Sequence, residues 1–302
     1  MPGVVALAGA LCLLAPAVGA EPRSPAAASQ SEAAALREEG YAAYLRREFT
    51  HCAELFARSG RAAAGVPATA ADAWYSAAAC AAEAGDRDLA FQDLASAADA
   101  GFRGVRQAAA DVDLKALQAD PRWRSWLDRV RRREAAYLAG VNREVYQMFE
   151  EDQADRPSDP NVKVDWSAVV ERDRARRQRV LEIHRAGGLE AADDYYHAAM
   201  ILQHGSAAED FDLAHRLGVR ASELDPTNRQ ARWLAAAAKD RYLMTLGKPQ
   251  LYGTQFKRDQ GGPWFLYPVD PSITDDERAK WNVPPLAEAK KRAEALNTPP
   301  PP

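Results

Sequence analysis

Apolar positions recur along most of this chain at three- and four-residue intervals, the period of amphipathic helices, and a strand-like texture is confined to one short stretch. Helices are predicted in pairs across residues 31–100, and a long helix over Ser125–Ala154 carries Tyr137, Leu138, Val141, Val145, Met148 and Phe149 on one stripe. Four more are predicted at Trp166–Arg185, Leu189–His204, Ala207–Glu223 and Asn228–Leu246, separated by Gly187-Gly188, Gly205 and Asp225-Pro226. Beyond Gly247, Leu251–Arg258 and Pro263–Val269 flank Asp259-Gln260-Gly261-Gly262 and read as a β-hairpin near 251–269. A last helix, Leu286–Leu296, precedes the extended, disordered tail 298–302. The predicted class is all-α, with a small hairpin in the C-terminal part.

The spacing of small and aromatic residues adds a repeat. Gly40, Tyr41, Tyr44, Phe49, Cys52 and Phe56 form one copy; Trp74, Ala78, Ala81, Gly85, Ala90, Leu94 and Ala97 form a clearer second. This resembles the tetratricopeptide repeat, in which small residues let two helices approach and aromatics fill the spaces between them. Cys52 and Ala90 are 90 − 52 = 38 positions apart, a repeat of about 34 residues plus an expansion of about four that fits Gly65–Ala68. The segment Asp111–Trp123 resembles the closing piece that follows such pairs and would cover the last apolar face. The expected domains are a helix-pair module with its cap over 31–124 and a helical domain over 125–297.

Composition excludes several classes. The 302 residues allow two domains, each with its own core, and a net charge of −4 is unsuited to nucleic acid or anionic membrane as principal partner. Residues 1–20 lack charged side chains and carry an apolar run from Val4 to Leu14, too short to span a bilayer, before Val18-Gly19-Ala20. This reads as a signal peptide cleaved between Ala20 and Glu21, hence an exported, periplasmic or extracellular protein, with 21–30 as a linker and no transmembrane segment. Export leaves Cys52 and Cys80, for which buried free thiols are expected, with a disulfide as the alternative.

Candidate chemistry lies where apolar stripes end in polar groups. Asp152 continues the Val145–Met148 stripe with Arg156 four residues on, His204 follows Met200, and Asp240 and Arg241 follow Trp233 and Leu234 by seven. Buried charges persist only when paired, so these groups are expected to meet. A structural knot would pair Asp152 with Arg156 and Asp240 with Arg241. A functional site would use His204 as acid or base, Asp152 or Asp240 to orient it, and an arginine to hold an anionic group. Asp193, Asp194 and His197 have helical ligand spacing but no partner signature, so no metal and no cofactor are expected. The arginine-rich runs Arg122–Arg133 and Arg172–Arg185 alternate with acids and read as salt-bridged helix faces.

In order, Asp152-Gln153 with Arg156, Gln203-His204, Asp240-Arg241, Gln250, Tyr252-Gly253-Thr254-Gln255, Pro268 and Arg278 resemble a bacterial family of unassigned function that often accompanies tetratricopeptide repeats. The resemblance covers about residues 145–287 and implies membership without a reaction. Gln153, Arg156, Gln203, Arg241, Gln250, Tyr252, Thr254 and Gln255 are its candidate ligand-binding residues, and His204, Asp152 and Asp240 the candidates for catalysis. The expected role is an exported or envelope-associated protein-interaction module that engages another protein through its repeats. The alternative is a hydrolase-type enzyme or small-ligand binder built around His204.

Overall fold

Residues 25–157, 162–259 and 262–297 are described by the computed structural model. Among them are thirteen α-helices, one 3-10 turn and one two-stranded antiparallel sheet, so the class is all-α with a small hairpin. The expected signal segment with its Ala20/Glu21 junction, the start of the linker and the proline tail lie outside the described residues. No helix among the described residues is long and apolar enough to cross a membrane. The chain divides between Ala139 and Gly140 into two compact units.

The first unit holds α1 (Pro25–Leu45), α2 (Phe49–Ala62), α3 (Pro67–Glu83), α4 (Arg87–Asp99), α5 (Val105–Ala110), the 3-10 turn (Lys115–Leu117) and α6 (Pro121–Leu138). Residues 25–30 are therefore helical where a linker was expected. Pro25 suits a first helical position and the alanines after it have the highest helix propensity. Helices α1 to α4 pack in succession through short turns, and glycine sets how closely. A Cβ on Gly40 would stand 3.0 Å from the Phe56 ring, and one on Gly60 only 2.8 Å from the Trp74 indole. Ala78, Ala90, Leu94 and Cys52 share one core, with Trp74 packed against it. Cys52 and Cys80 are joined as a disulfide with their Cα atoms 5.8 Å apart, which corrects the expectation of free thiols. Both cysteines occupy the inward face of their helices, so close packing of α2 on α3 brings the sulfurs together.

The segment after α4 covers this stack. Leu114 and Leu117 are fully buried in the same core, Trp126 donates to the Leu94 carbonyl at 2.7 Å, and Phe102 stacks on Tyr75. Asp113 accepts from the Tyr44 hydroxyl at 2.8 Å and Asp111 from the Tyr75 hydroxyl at 2.6 Å. Burial and then the Asp113 carboxylate push the Tyr44 phenol up to about 12. Arg122 pairs with Asp88 and Asp120, and Arg129 with Asp99, the salt-bridged face expected of this run.

The second unit holds α7 (Arg143–Ala154), α8 (Trp166–Arg185), α9 (Ala192–Leu202), α10 (Ala208–Leu224), α11 (Arg229–Thr245), β1 (Phe256–Arg258), β2 (Trp264–Leu266), α12 (Asp275–Lys280) and α13 (Leu286–Ala295). The long helix expected over Ser125–Ala154 is two helices, α6 and α7, and the expected boundary at 124/125 falls within α6. Asn142 makes the break: its side-chain oxygen caps α7 by accepting from Val145 N at 3.1 Å. Its amide donates to the Gly188 carbonyl at 2.8 Å, while Asp194 accepts from its backbone N–H at 2.6 Å. A side chain that satisfies free helix-terminal N–H groups favours a new start over continuation. Asp194 also accepts from Glu190 N and Ala191 N, so it caps α9.

Val145, Val180, Ile201, Leu202, Leu217 and Leu234 fill the core that α7 to α11 enclose. Gly218 lets α10 meet α11 closely, since a Cβ there would stand 3.1 Å from the Ala235 backbone. The hairpin is shorter than predicted, with Phe256 opposite Leu266 and Arg258 opposite Trp264. Residues 251–255 form a loop instead, because the N–H groups of Leu251, Tyr252 and Thr254 find the Asp240 carboxylate, and that of Gln255 the Gln250 side chain, rather than a neighbouring strand. Gln260 and Gly261, in the predicted turn, lie outside the described residues.

Candidate functional site

The end of α7 turns its apolar face into a charged one. Val145 and Met148 lie in the core, and Asp152, next on that face, is wholly buried. Asp152 Oδ1 accepts from Arg156 Nη1 at 3.1 Å and faces His204 Nδ1 at 2.9 Å; Oδ2 accepts from Gln153 Nε2 at 2.8 Å. Arg156 reaches onward from Asp152, with Nη2 donating to Asp173 at 2.5 Å. Asp173 also accepts from Arg176, which shares Asp155 with Arg172. The network thus alternates in charge from α7 to α8, as burial requires.

His204 stands just beyond α9 with its side chain only 5% exposed. A carboxylate at Nδ1 fixes the neutral tautomer with the proton on that nitrogen and a lone pair on Nε2. Nε2 is buried and has no hydrogen-bond partner among the described residues. Desolvation, opposed by the bond to Asp152 and reinforced by Arg156 and Arg241, holds the imidazole below its ordinary value. The His204 carbonyl accepts from Arg177 at 3.3 Å, and Arg177 pairs with Asp210. Gly205 is required here, because a Cβ would overlap the Asp210 carboxylate.

The second half of the site hangs from α11. Asp240 Oδ1 accepts from Leu251 N at 2.7 Å and Tyr252 N at 2.9 Å, while Oδ2 accepts from Thr254 N at 3.0 Å and Thr254 Oγ1 at 2.8 Å. Burial pushes this carboxyl up, against the four donors that hold it ionised. Gln250 is equally committed: Nε2 donates to the Gln255 and Tyr267 carbonyls and Oε1 accepts from Gln255 N. From the other side, buried Arg278 donates to the Tyr252 and Ile273 carbonyls, and Gln250 N donates to the Pro268 carbonyl. The polar loop is therefore a cage around Asp240, with Gly253 at φ +86° providing its tightest bend.

Arg241 turns away from its neighbour. The predicted Asp240–Arg241 pair is absent, because adjacent helix positions point in different directions and Asp240 is filled by the loop. Arg241 Nε donates to Gln255 Oε1 at 3.1 Å and Nη1 to the Gln203 carbonyl at 2.6 Å. Both acceptors are neutral. Burial, then the nearby Arg156, push this guanidinium down to about 10.

All eleven candidates fall on one connected framework. Asp152, Gln153, Arg156 and His204 form its first half, and Asp240, Gln250, Tyr252, Thr254 and Gln255 its second; Arg241 joins them through the carbonyl of Gln203. Asp240, Gln250 and Thr254 are saturated by internal bonds, and Tyr252 packs with Ala236 and Val283. Gln203 contributes its backbone, its side-chain amide resting on the Met200 sulfur. Missed in the sequence were Asp173 and Arg176, both buried on α8 between Val169 and Val180. Their signal was the one that exposed Asp152, charges on an apolar stripe, but the dense arginines of this helix concealed it. Among the described residues no group of acids, histidines and cysteines is arranged to hold a metal; His197 stacks on Phe149. Comparison with protein-family models, with curated proteins and with solved structures finds no match to this chain.

Proposed function

We propose that this is an exported, non-enzymatic interaction protein whose tetratricopeptide-type first unit docks another protein of the cell envelope or its surroundings. The observation that carries this reading is an exposed apolar pair on α1, anchored where the Tyr41 ring packs edge-on against Phe56 with centroids 5.2 Å apart. Tyr41 and Leu45, one helical turn apart, are 51% and 80% exposed, whereas Tyr44 on the same helix is bonded to Asp113 in the covering segment. Exposed Arg46 and Arg47 follow directly; Arg46 is paired with Glu48, so Arg47 is the charge beside the pair, and the complementary partner surface is apolar with an acidic group at its edge. The Cys52–Cys80 disulfide supports export, because such bonds persist in oxidising compartments. The test is affinity capture from the extracytoplasmic fraction, comparing the native chain with a Tyr41→Ser, Leu45→Ser double variant. A specific partner retained only by the native chain supports the reading; identical capture by both contradicts it.

A second reading, a small-ligand site or hydrolase-type centre at His204, is favoured by one observation: Nδ1 is held by Asp152 while Nε2 lacks a partner. Binding is the better supported form of it. Activated-nucleophile catalysis needs a hydroxyl or thiol within reach of the base, and His204 Nε2 bonds to none.

A further inference from the structure

We propose that Arg241 and His204 bind a small oxyanion, a carboxylate or a phosphate, which supplies the anionic partner that Arg241 lacks. This rests on the ligand-binding reading of that network and is independent of the docking surface on α1. Its first support is charge accounting. Arg156, Arg172, Arg176, Arg177 and Arg278 each meet a carboxylate. Arg241 meets none among the described residues, and both of its acceptors are neutral amide oxygens. A guanidinium has five N–H groups, so about three remain after these two bonds, enough for bidentate recognition of an oxyanion.

The second support is independent. His204 Nε2 is a buried polar atom with no partner among the described residues, on a side chain only 5% exposed. Such an atom is costly unless a ligand or proton completes it. The charged groups facing His204 are Asp152 at Nδ1, Arg156 and Arg241 nearby, and Arg177 on its carbonyl. Arg156 is held by Asp152 and Asp173, so Arg241 is the cation near the ring that meets no carboxylate among the described residues. An oxyanion drawn there by Arg241 would reverse the balance that keeps the imidazole neutral. Nε2 would take up a proton from solvent and become a donor to the anion, coupling binding to protonation.

The test is side-chain nitrogen NMR of the full chain, titrated with acetate, inorganic phosphate, neutral glucose and, as an ionic-strength control, chloride. The expected result is saturable shifts of His204 Nε2 and Arg241 Nε with acetate or phosphate but not chloride. Saturation by only one of the two identifies the ligand as carboxylate or phosphate. Affinity should fall by at least about tenfold in Arg241→Gln, the loss of a charge-assisted contact. Should Arg241→Gln fail to fold, His204→Gln decides. Native affinity should rise between about pH 8 and pH 6; a variant that loses this rise supports the proposal, and one that keeps it overturns it. Response to glucose alone would overturn the anion assignment and leave a ligand site standing, whereas response to none of the probes would overturn both.

Discussion

His204 and Asp152, 52 positions apart in sequence, meet at 2.9 Å through the imidazole Nδ1 and one carboxylate oxygen. The contact joins the loop after α9 to the end of α7 and selects the neutral tautomer. Burial and two nearby arginines hold the imidazole below its ordinary value despite Asp152. The unfolded chain therefore takes up a proton as pH falls through about 6.5, while the folded chain resists. Stability from this group is present above that value and lost as pH falls below it. Between about pH 7.5 and 5.5 the second unit should lose roughly 1 kcal/mol through this histidine. His204→Gln should flatten that part of the urea-midpoint profile, and an unchanged slope would show that other groups cause it.

Asp240→Asn tests the cage. An amide cannot accept all four hydrogen bonds, and its NH2 would oppose donors from the loop. The expected cost is about 2–4 kcal/mol, or roughly 5–12 °C in melting temperature for a unit of this size. A change of less than about 1 kcal/mol would show that water replaces the carboxylate. Calorimetry of the native chain and of Asp240→Asn resolves the effect.

In the first unit, buried Asp93 has one oxygen without a partner and is pushed up to about 7 by burial, with Arg61 opposing. Its folded value exceeds its unfolded value, so it favours the fold when protonated and costs stability as pH rises from about 4 through 7. Asp93→Asn should stabilise the unit by about 2–4 kcal/mol near pH 8 and change little near pH 4. Equal effects at both pH values would contradict the assignment.

The disulfide closes a segment of sequence separation 28, which corresponds to about 3–4 kcal/mol on the chain-entropy scale. Thiol counting on the denatured protein, isolated without reductant, should find neither Cys52 nor Cys80 free, and reduction should lower the first unit's melting temperature. Two titratable thiols without reduction would contradict both the bond and the proposed oxidising compartment.

What was legible in sequence followed from periodicity. Helix α8 spans the predicted Trp166–Arg185 because Asp165 caps one end and Gly187-Gly188 follows the other. Asp152, His204 and Asp240 were recoverable because each sat where a stripe should point inward. The α6–α7 break was less legible: an apolar stripe crossed it, and Asn142 becomes a strong cap only when Asp194 and Gly188 arrive from distant sequence. The loop after Gln250 has the texture of a strand but departs from it for the same reason, since Leu251, Tyr252 and Thr254 donate to Asp240. Pairing of Cys52 with Cys80 depended on how α2 faces α3, which spacing alone leaves open. The division of labour inside the polar network also needed geometry, because adjacent Asp240 and Arg241 point into different halves.

The measurement that most directly tests the interaction role is site-specific photo-crosslinking in the producing cell, with the reactive residue replacing Leu45 and, as a control, exposed Val170 on α8. The predicted result is a discrete protein adduct from position 45, recovered in the extracytoplasmic fraction and lost when Tyr41→Asp is added. No adduct from position 45, or the same adduct from both positions regardless of Tyr41, would contradict the account.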